Sequence, residues 1–230
     1  MKTAFKPGTM IYPLPAVMVS CGDAPENYNI ITIAWTGTLC SDPPMCYISV
    51  RPERHSYDII KRTGEFVINL TTAEIARQTD WCGVRSGREY NKFREMGLHT
   101  EPAQLVKAPL IKESPLNIEC KVVEVRPLGS HDLFIANVVA IDAEESLIDK
   151  TSGQFQLNHA GPLAFSLAST MPSAKSWAAS ASRSKRENNF YHEYYLCRKP
   201  RHQPGPLRRV EAALCLQGAC IHLLYGPPRG

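Results

Sequence analysis

The sequence lacks the features that would place this chain in a membrane, in a secretory route or among the common nucleotide-binding enzymes. Its 230 residues contain no apolar run close to the roughly 18 residues that cross a bilayer. Residues 1–10 show no apolar core or cleavage site, so we expect no signal peptide. No G-x-G-x-x-G, P-loop, G-x-S-x-G or H-E-x-x-H motif occurs in the first 166 residues. We therefore predict a cytoplasmic protein without a membrane partner.

Cysteine is present, but its spacing indicates neither a disulfide framework nor a metal site. The first 166 residues hold five cysteines, an odd number, and no C-x-x-C pair. Reduced thiols in a cytoplasmic protein explain this pattern best. Cys40 and Cys46 flank a Pro-Pro turn, which leaves a disulfide or a metal pair open. Since neither has a histidine at ligand spacing, we predict no metal site.

Charge divides the chain into two parts. Residues 1–166 hold 16 Lys and Arg against 19 Asp and Glu, whereas residues 167–230 hold 10 against 3. The overall charge of +4 therefore comes from the second part alone. We assign residues 1–166 to one domain and residues 167–230 to a basic tail. A nucleic-acid partner would depend on this tail alone, and we predict none.

The amino-acid composition of the tail differs from that of the domain. Its start is rich in Ser and Ala without a period, and a mixture of Arg, Pro, Cys and Gly follows, which is typical of a poorly ordered segment. Leu167–Lys185 can be back-translated so that another frame spells Gly-Glu-Tyr-Tyr-Ala-Leu-Gly-Lys-Glu-Leu-Gly-Ser-Phe-Gly-Phe-Ser-Val-Lys. That string has helix-like and strand-like pattern. We hypothesise that a frameshift near Phe165–Leu167, natural or from sequencing, replaced the original C-terminus.

Short β-strands dominate the domain. Six runs rich in Val, Ile and Thr are bounded by Pro, Gly, Asn or Asp. They are Ala16–Cys21, Ile30–Thr36, Cys46–Val50, Phe66–Leu70, Leu116–Val125 and Leu133–Ala143. Strands this short and evenly spaced favour a closed or sandwich-like, mainly β fold over parallel α/β. Three short helices are also predicted: Tyr57–Thr63 with Ser56 as N-cap, Thr72–Thr79 and Asn91–Met96.

The end of the third strand carries residues that suit a phosphate group. Arg51 ends the strand, Arg54 lies three residues on, and Ser56 opens a helix whose free N–H groups attract anions. These are the charge-assisted donors that the phosphate of flavin mononucleotide (FMN) requires. Solvated arginines and a helix-capping serine explain the same residues equally well.

The second strand could meet the edge of a flat ligand such as a flavin ring. Thr32, Thr36 and Thr38 supply hydroxyls, and Gly37 lacks a Cβ, so the backbone there can approach a ligand closely. A strand end with β-favouring threonines is an alternative that the residues by themselves leave open.

A polar loop and four histidines complete the candidate groups. The segment Cys82–Arg88, followed by Lys92 and Phe93, carries glycines and cations and could close over a cofactor or a partner subunit. A surface loop is the other interpretation. No histidine of the domain has an acidic or Cys partner at catalytic spacing, so none is assigned a catalytic role. These histidines are His55, His99, His131 and His159.

Taken together and in order, these segments resemble the flavin reductase-like, FMN-binding split-barrel family, and most of all its flavoredoxin branch. The similarity covers about residues 8–166. It rests on Tyr12-Pro13-Leu14-Pro15, Asn29–Asp42 with Pro43-Pro44, Ser49-Val50-Arg51-Pro52-x-Arg54-x-Ser56, Gly64-Glu65-Phe66-Val67-Ile68-Asn69, Cys82-Gly83-x-x-Ser86-Gly87-Arg88 with Lys92-Phe93, and Glu113-Ser114-Pro115-Leu116-Asn117-Ile118-Glu119-Cys120. The frame-shifted string also looks like the usual ending of this family.

The resemblance implies a Greek-key split β-barrel that forms a homodimer and holds FMN non-covalently near the subunit interface. At the matching positions, Thr32, Ala34, Trp35, Thr36, Gly37 and Thr38 would line the isoalloxazine and ribityl groups. Ser49, Arg51, Arg54 and Ser56 would hold the phosphate, and Lys92 and Phe93 would contribute from the loop. Since the flavin carries the chemistry, no catalytic side chain is expected.

The resemblance further implies an FMN-dependent oxidoreductase that passes electrons between NADH or NADPH, flavin and an acceptor, which could be a protein. Two other functions stay open. A non-enzymatic electron carrier would use the same pocket without a nicotinamide site. A β-barrel nucleic-acid binder would use the basic tail, although the acidic body and the lack of interleaved aromatic and cationic residues on one strand argue against it.

Overall fold

The structure is a computed structural model, and it describes residues 2–165 together with 215–216 and 219–220. The prediction that residues 167–230 form a poorly ordered tail lies almost wholly outside these residues. Among the described residues, no helix is both long enough and apolar enough to span a membrane.

Strands form most of the domain, as the sequence predicts. Their bounds are β1 Leu14–Pro15, β2 Val17–Cys21, β3 Asn29–Ile33, β4 Thr36–Ser41, β5 Pro44–Val50, β6 Glu65–Leu70, β7 Thr100–Glu101, β8 Leu110–Ile111, β9 Leu116–Pro127, β10 Asp132–Ala143, β11 Ala164–Phe165, β12 Cys215–Leu216 and β13 Ala219–Cys220. Five of the six predicted strands are observed within a few residues of their expected bounds.

Seven of the strands make one antiparallel sheet in the order β3-β2-β6-β9-β10-β5-β4. β3 and β4 stand at opposite ends of this order, yet only Ala34 and Trp35 join them in the chain. The sheet must therefore curl until its two ends meet. Ala34 and Trp35 span this junction, and the Trp35 carbonyl accepts a hydrogen bond from Ser49 N at 2.9 Å, which extends the pairing of β4 with β5. The result is the predicted split β-barrel.

The prediction of one strand over Ile30–Thr36 is wrong, because this barrel closure divides the segment. β3 stops at Ile33, the chain crosses to the other end of the sheet through Ala34 and Trp35, and β4 starts at Thr36. Both halves are rich in β-favouring residues, so their composition does not reveal the break.

The core has two layers on either side of the first strands. In β2, Val17 and Val19 face the barrel interior, where Ile48 and Phe134 also pack. Met18 points to the other side, into a layer beneath the helices. All five residues of β2 are consequently buried, and the strand reads as a continuous apolar run rather than as an alternating one.

Helices cover one side of the barrel and differ in detail from the prediction. They are α1 His55–Thr63, α2 Ala76–Val84 and α3 Lys92–Met96, with single 3-10 turns at Pro25–Asn27, Ala73–Ile75, Glu145–Leu147 and Leu157–His159. Ser56 is not the N-cap of α1, because the helix begins at His55 with Arg54 at the cap position. α2 starts later and runs further than expected, so Cys82 and Gly83 are helical and only residues 85–91 form the loop.

Candidate functional site

A cavity of about 310 Å³ lies where the barrel meets the helices. β3 contributes Asn29 and Ile31, and the start of α1 with the preceding turn contributes Glu53–Ser56. The end of α2 and the following loop contribute Gly83 and Arg85–Gly87, and α3 adds Lys92. Four chain segments that are far apart in the sequence therefore enclose one cleft.

The cavity is positively charged. Arg54, Arg85 and Lys92 line it against a single carboxylate, Glu53. His55 adds no charge near neutral pH, because burial and the neighbouring Arg88 and Lys92 lower its pKa. Such a cluster of cations at the start of a helix favours an anionic ligand.

Lys92 is the most buried of these cations, with 4% of its surface exposed. Its Nζ donates to the carbonyls of Ile30 at 2.7 Å and Cys82 at 2.6 Å, so it ties β3 to α2. Burial lowers the pKa of Lys92 to about 8. An ammonium group has three N–H donors, and the described residues supply acceptors for two of them, so the third can serve a ligand in the cavity that Lys92 lines.

The loop after α2 is held against the start of α1. Arg88 Nη1 donates to the Glu53 carbonyl at 2.9 Å, and its guanidinium lies 3.7 Å from Asp58. Gly87 lies against the side chain of Asn29 so closely that an added Cβ would collide with it. Ser86 and Gly87 therefore reach the cavity because the loop is fastened and because Gly87 has no side chain.

A second group of polar and aromatic residues lies beside the cavity. The ring of Trp35 packs on that of His131 with centroids 4.5 Å apart. Burial and the charges of Arg51 and Arg54 lower the pKa of His131, which favours its neutral form. Since Arg54 also lines the cavity, it connects the cavity with the Trp35–His131 pair.

Arg51 stands apart from Arg54 in its surroundings. It does not line the cavity, and its Nη1 lies 3.4 Å from Glu53 Oε1. Its Nε is buried and has no hydrogen-bond partner among the described residues. A buried donor without a partner costs free energy, so this atom is suited to an acceptor that a ligand would supply.

The structure brings only some of the predicted site residues together. Arg54, Ser56 and Lys92 share the cavity. The hydroxyl of Thr32 donates to the Thr79 carbonyl and that of Thr36 to the Tyr47 carbonyl, so both are engaged within the protein. The remaining predicted residues lie outside the cavity lining: Ala34, Trp35 and Ser49 are half-buried, Gly37 lies against the Tyr47 ring, Thr38 is exposed, and Phe93 packs beneath the helices.

Sequence reasoning assigned no role to several residues that the structure places at the site. Asn29 and His55 line the cavity, and His131 contacts Trp35. Asn29 begins the strand whose threonines suggest a ligand contact, and His131 is almost a hundred residues from its aromatic partner. Arg85 and Ser86 were visible only as part of a polar loop.

Among the described residues no group of His, Cys, Asp and Glu could hold a metal ion. The five cysteines of the domain are free. Cys46 does not pair with Cys40; its sulfur lies 3.4 Å from that of Cys120 in the barrel interior.

Comparison with known proteins places this arrangement in a family. The sequence model of the flavin reductase-like domain matches residues 9–165. An uncharacterised protein of Pyrococcus abyssi is 31% identical over 149 residues, which cover 65% of this chain and 85% of that protein.

Solved structures agree with this match. Flavoredoxin of Desulfovibrio vulgaris (Miyazaki F) is 30% identical with a TM-score of 0.66, covering 72% of this chain and 88% of the other. An FMN-binding protein from Thermus thermophilus with bound 1-cyclohex-2-enone is 25% identical with a TM-score of 0.59, covering 67% and 86%. A flavoredoxin from Methanosarcina acetivorans, at 23% identity and a TM-score of 0.67, shares the fold.

Proposed function

This chain belongs to the flavin reductase-like domain family, and from that membership and the geometry of its cavity we propose that it binds FMN and acts as an oxidoreductase of flavin reductase type. The observation that carries the proposal is the cluster of Arg54, Arg85 and Lys92 around the first turn of α1. An enclosed cationic site at a helix N-terminus suits the dianionic phosphate of FMN better than it suits an uncharged ligand.

The phosphate-binding residues of this proposal are Arg54, Ser56 and Lys92, with Arg85 and Ser86 added from the loop. Arg51, whose buried Nε has no hydrogen-bond partner among the described residues, would take a second acceptor of the same ligand. The backbone from Ala34 to Thr38 and the Trp35–His131 pair would lie along the flavin ring. Ser49 and Phe93 would pack against these elements on the side away from the ligand.

The bound flavin would supply the two-electron chemistry, and the protein would supply position and charge. Within the chain, the cations orient the phosphate end and thereby fix where the rest of the ligand lies. His131 Nδ1 lies 2.9 Å from the Ser130 hydroxyl, so the neutral ring offers a ligand beside Trp35 its other nitrogen, Nε2. We propose NADH or NADPH as the electron donor and an acceptor, which could be a protein, as the electron sink.

A homodimer and a cytoplasmic location belong to the same proposal. The segment before β1 exposes large apolar side chains, including Phe5 at 86% and Ile11 at 81%. A second copy that covered them would remove apolar surface from water. Sedimentation of the purified protein should show a species of twice the chain mass.

The test of FMN binding is a titration of the purified protein with FMN and with riboflavin, which lacks the phosphate. We expect yellow protein and a clear preference for FMN. Arg54→Ala should weaken FMN by roughly 10- to 100-fold, since one charged hydrogen bond is worth about 1.5–3 kcal/mol, and should change riboflavin much less. Equal loss for both ligands would mean that the phosphate binds elsewhere.

The matched control is Arg94→Ala. Arg94 has 79% of its side chain exposed, and within the described part of the chain its guanidinium pairs only with Glu95 on the same helix, so its removal should leave both affinities unchanged. Steady-state oxidation of NADH and NADPH in the presence of FMN then separates the enzyme from a carrier. Rapid turnover excludes the carrier, and no turnover with tight FMN binding favours it.

A further inference from the structure

Asn29, the first residue of β3, joins three parts of the candidate site. It is 4% exposed, and its Nδ2 donates a hydrogen bond to Ser56 Oγ at 2.8 Å. The same side-chain amide lies directly against the backbone of Gly87, and all three residues line the cavity. The start of β3, the first turn of α1 and the loop after α2 therefore meet at one amide group.

The direction of the Asn29–Ser56 hydrogen bond determines what the Ser56 hydroxyl can do. An amide N–H only donates, so Ser56 Oγ is the acceptor, and the single hydroxyl proton remains for another partner. Within the protein, the neighbouring Cys21 thiol could accept it. Burial raises the pKa of Cys21 to about 12, so the sulfur stays neutral and is a weak acceptor. An anionic oxygen in the cavity is a much stronger one.

We propose that Asn29 is a positioning residue that keeps Ser56 as a hydrogen-bond donor toward the anionic end of the ligand. Without the Asn29 amide, Ser56 could rotate and donate its proton to a backbone or side-chain acceptor of the protein, and the cavity would lose one donor. This inference rests on the proposed binding of a phosphate-bearing flavin. It adds a residue whose proposed effect on the ligand is exerted through Ser56.

A purely structural role for Asn29 makes a different prediction. A buried amide at the start of a strand could simply stabilise the fold, and its loss would then weaken FMN and riboflavin alike. Positioning of Ser56 affects only the ligand that carries the phosphate. The ratio of the two affinities is therefore the quantity that separates the two roles.

The experiment is a double-mutant cycle with Asn29→Ala, Ser56→Ala and the double variant, each titrated with FMN and riboflavin. Ser56→Ala removes one hydrogen bond to a charged group, and we expect it to lower the FMN-to-riboflavin affinity ratio about tenfold or more. Asn29→Ala should lower the ratio by a similar factor. In the Ser56→Ala background it should lower the ratio no further, because the two residues act as one unit.

Gly87→Ala reaches the same hydrogen bond from the opposite side. An added methyl group collides with the Asn29 amide and pushes it from Ser56 while both side chains stay present. We expect a lower ratio here as well. Gly8→Ala is the matched control, since its Cβ would meet only a backbone oxygen at 4.0 Å, and it should leave the ratio unchanged.

Three outcomes decide the matter. A reduced ratio in Ser56→Ala with an unchanged ratio in Asn29→Ala and Gly87→Ala overturns the inference and leaves the proposed function intact. A wild-type protein that binds FMN and riboflavin equally, or neither, overturns the proposed phosphate site itself. If Asn29→Ala does not fold by circular dichroism, the Gly87→Ala comparison gives the answer alone.

Discussion

Arg51 and Arg54 lie three residues apart and look equivalent in the sequence, but the structure gives them different surroundings. Arg54 lines the cavity, whereas Arg51 turns toward Glu53 and keeps a buried Nε without a partner among the described residues. Lys92 and Phe93 are adjacent and diverge in the same way: one lines the cavity and the other packs in the core. Residue type and spacing identify candidate ligand-binding residues, and only the path of the backbone decides which of them line the cavity.

Lys92 should make the stability of the ligand-free protein depend on pH. Its pKa is lowered from 10.5 to about 8 by burial, so between these values the unfolded chain binds more protons than the folded one. The free energy of unfolding is therefore highest above the unfolded pKa of 10.5, where Lys92 is neutral in both states. It decreases as the pH falls through the folded pKa of about 8. We expect an increase of up to about 3 kcal/mol in the unfolding free energy across this window.

Urea denaturation across this pH range, for wild type and Lys92→Met, measures the effect. The variant has no ammonium to deprotonate, so its stability should rise less steeply with pH than that of the wild type. The comparison between the two removes the contribution of other groups that titrate in the same range. Parallel curves for the two proteins would show that Lys92 keeps its proton throughout.

At the scale of elements, two irregular segments are each held in place by a single charged side chain. Glu119 on β9 is completely buried and accepts hydrogen bonds from the backbone N–H groups of Gln104 at 2.6 Å, Leu105 at 2.7 Å and Val106 at 3.1 Å. One carboxylate therefore orders the irregular connection between β7 and β8, which has little secondary structure of its own. Arg88 fastens the loop after α2 in a comparable way.

Glu119→Gln should destabilise the fold without changing the cavity. The substitution replaces one carboxylate oxygen with an NH₂ group, which is a donor and would face a backbone N–H that is also a donor. One hydrogen bond to a charged group is lost, which we expect to cost about 1.5–3 kcal/mol. Chemical denaturation measures this cost, and FMN affinity at low denaturant should stay unchanged. Glu124→Gln, on the exposed part of the same strand, is the control and should cost little.

At the scale of the whole molecule, the flavin reductase-like domain covers residues 9–165, and the sequence after it differs from the domain in composition and charge. This is compatible with the frameshift hypothesis, which stays a prediction. The nucleotide sequence should encode Gly-Glu-Tyr-Tyr-Ala-Leu-Gly-Lys in another frame just after Phe165. A gene without that peptide in any frame would refute the hypothesis.

Restoring the alternative frame should also change the protein. If the replaced C-terminus packs on the barrel or between subunits, a chain that continues in the other frame should melt at a higher temperature and bind FMN more tightly than the present one. Thermal denaturation and FMN titration of the two chains, side by side, measure this. The same melting temperature and affinity in both would show that the ending contributes nothing to the domain.

The amino-acid sequence by itself determined the mainly β class, five of the six predicted strands, the short helix ending at Gly64 and the closeness of Arg54 and Ser56 at the start of that helix. These are local properties, since strand composition, turn residues and helix ends act over a few positions. The tertiary structure decided the break of the strand at Ala34, the burial of Phe93 and the contacts of Asn29 with Ser56 and Gly87. Each of these follows from barrel closure and packing between distant segments, which bring together residues that no spacing in the chain relates.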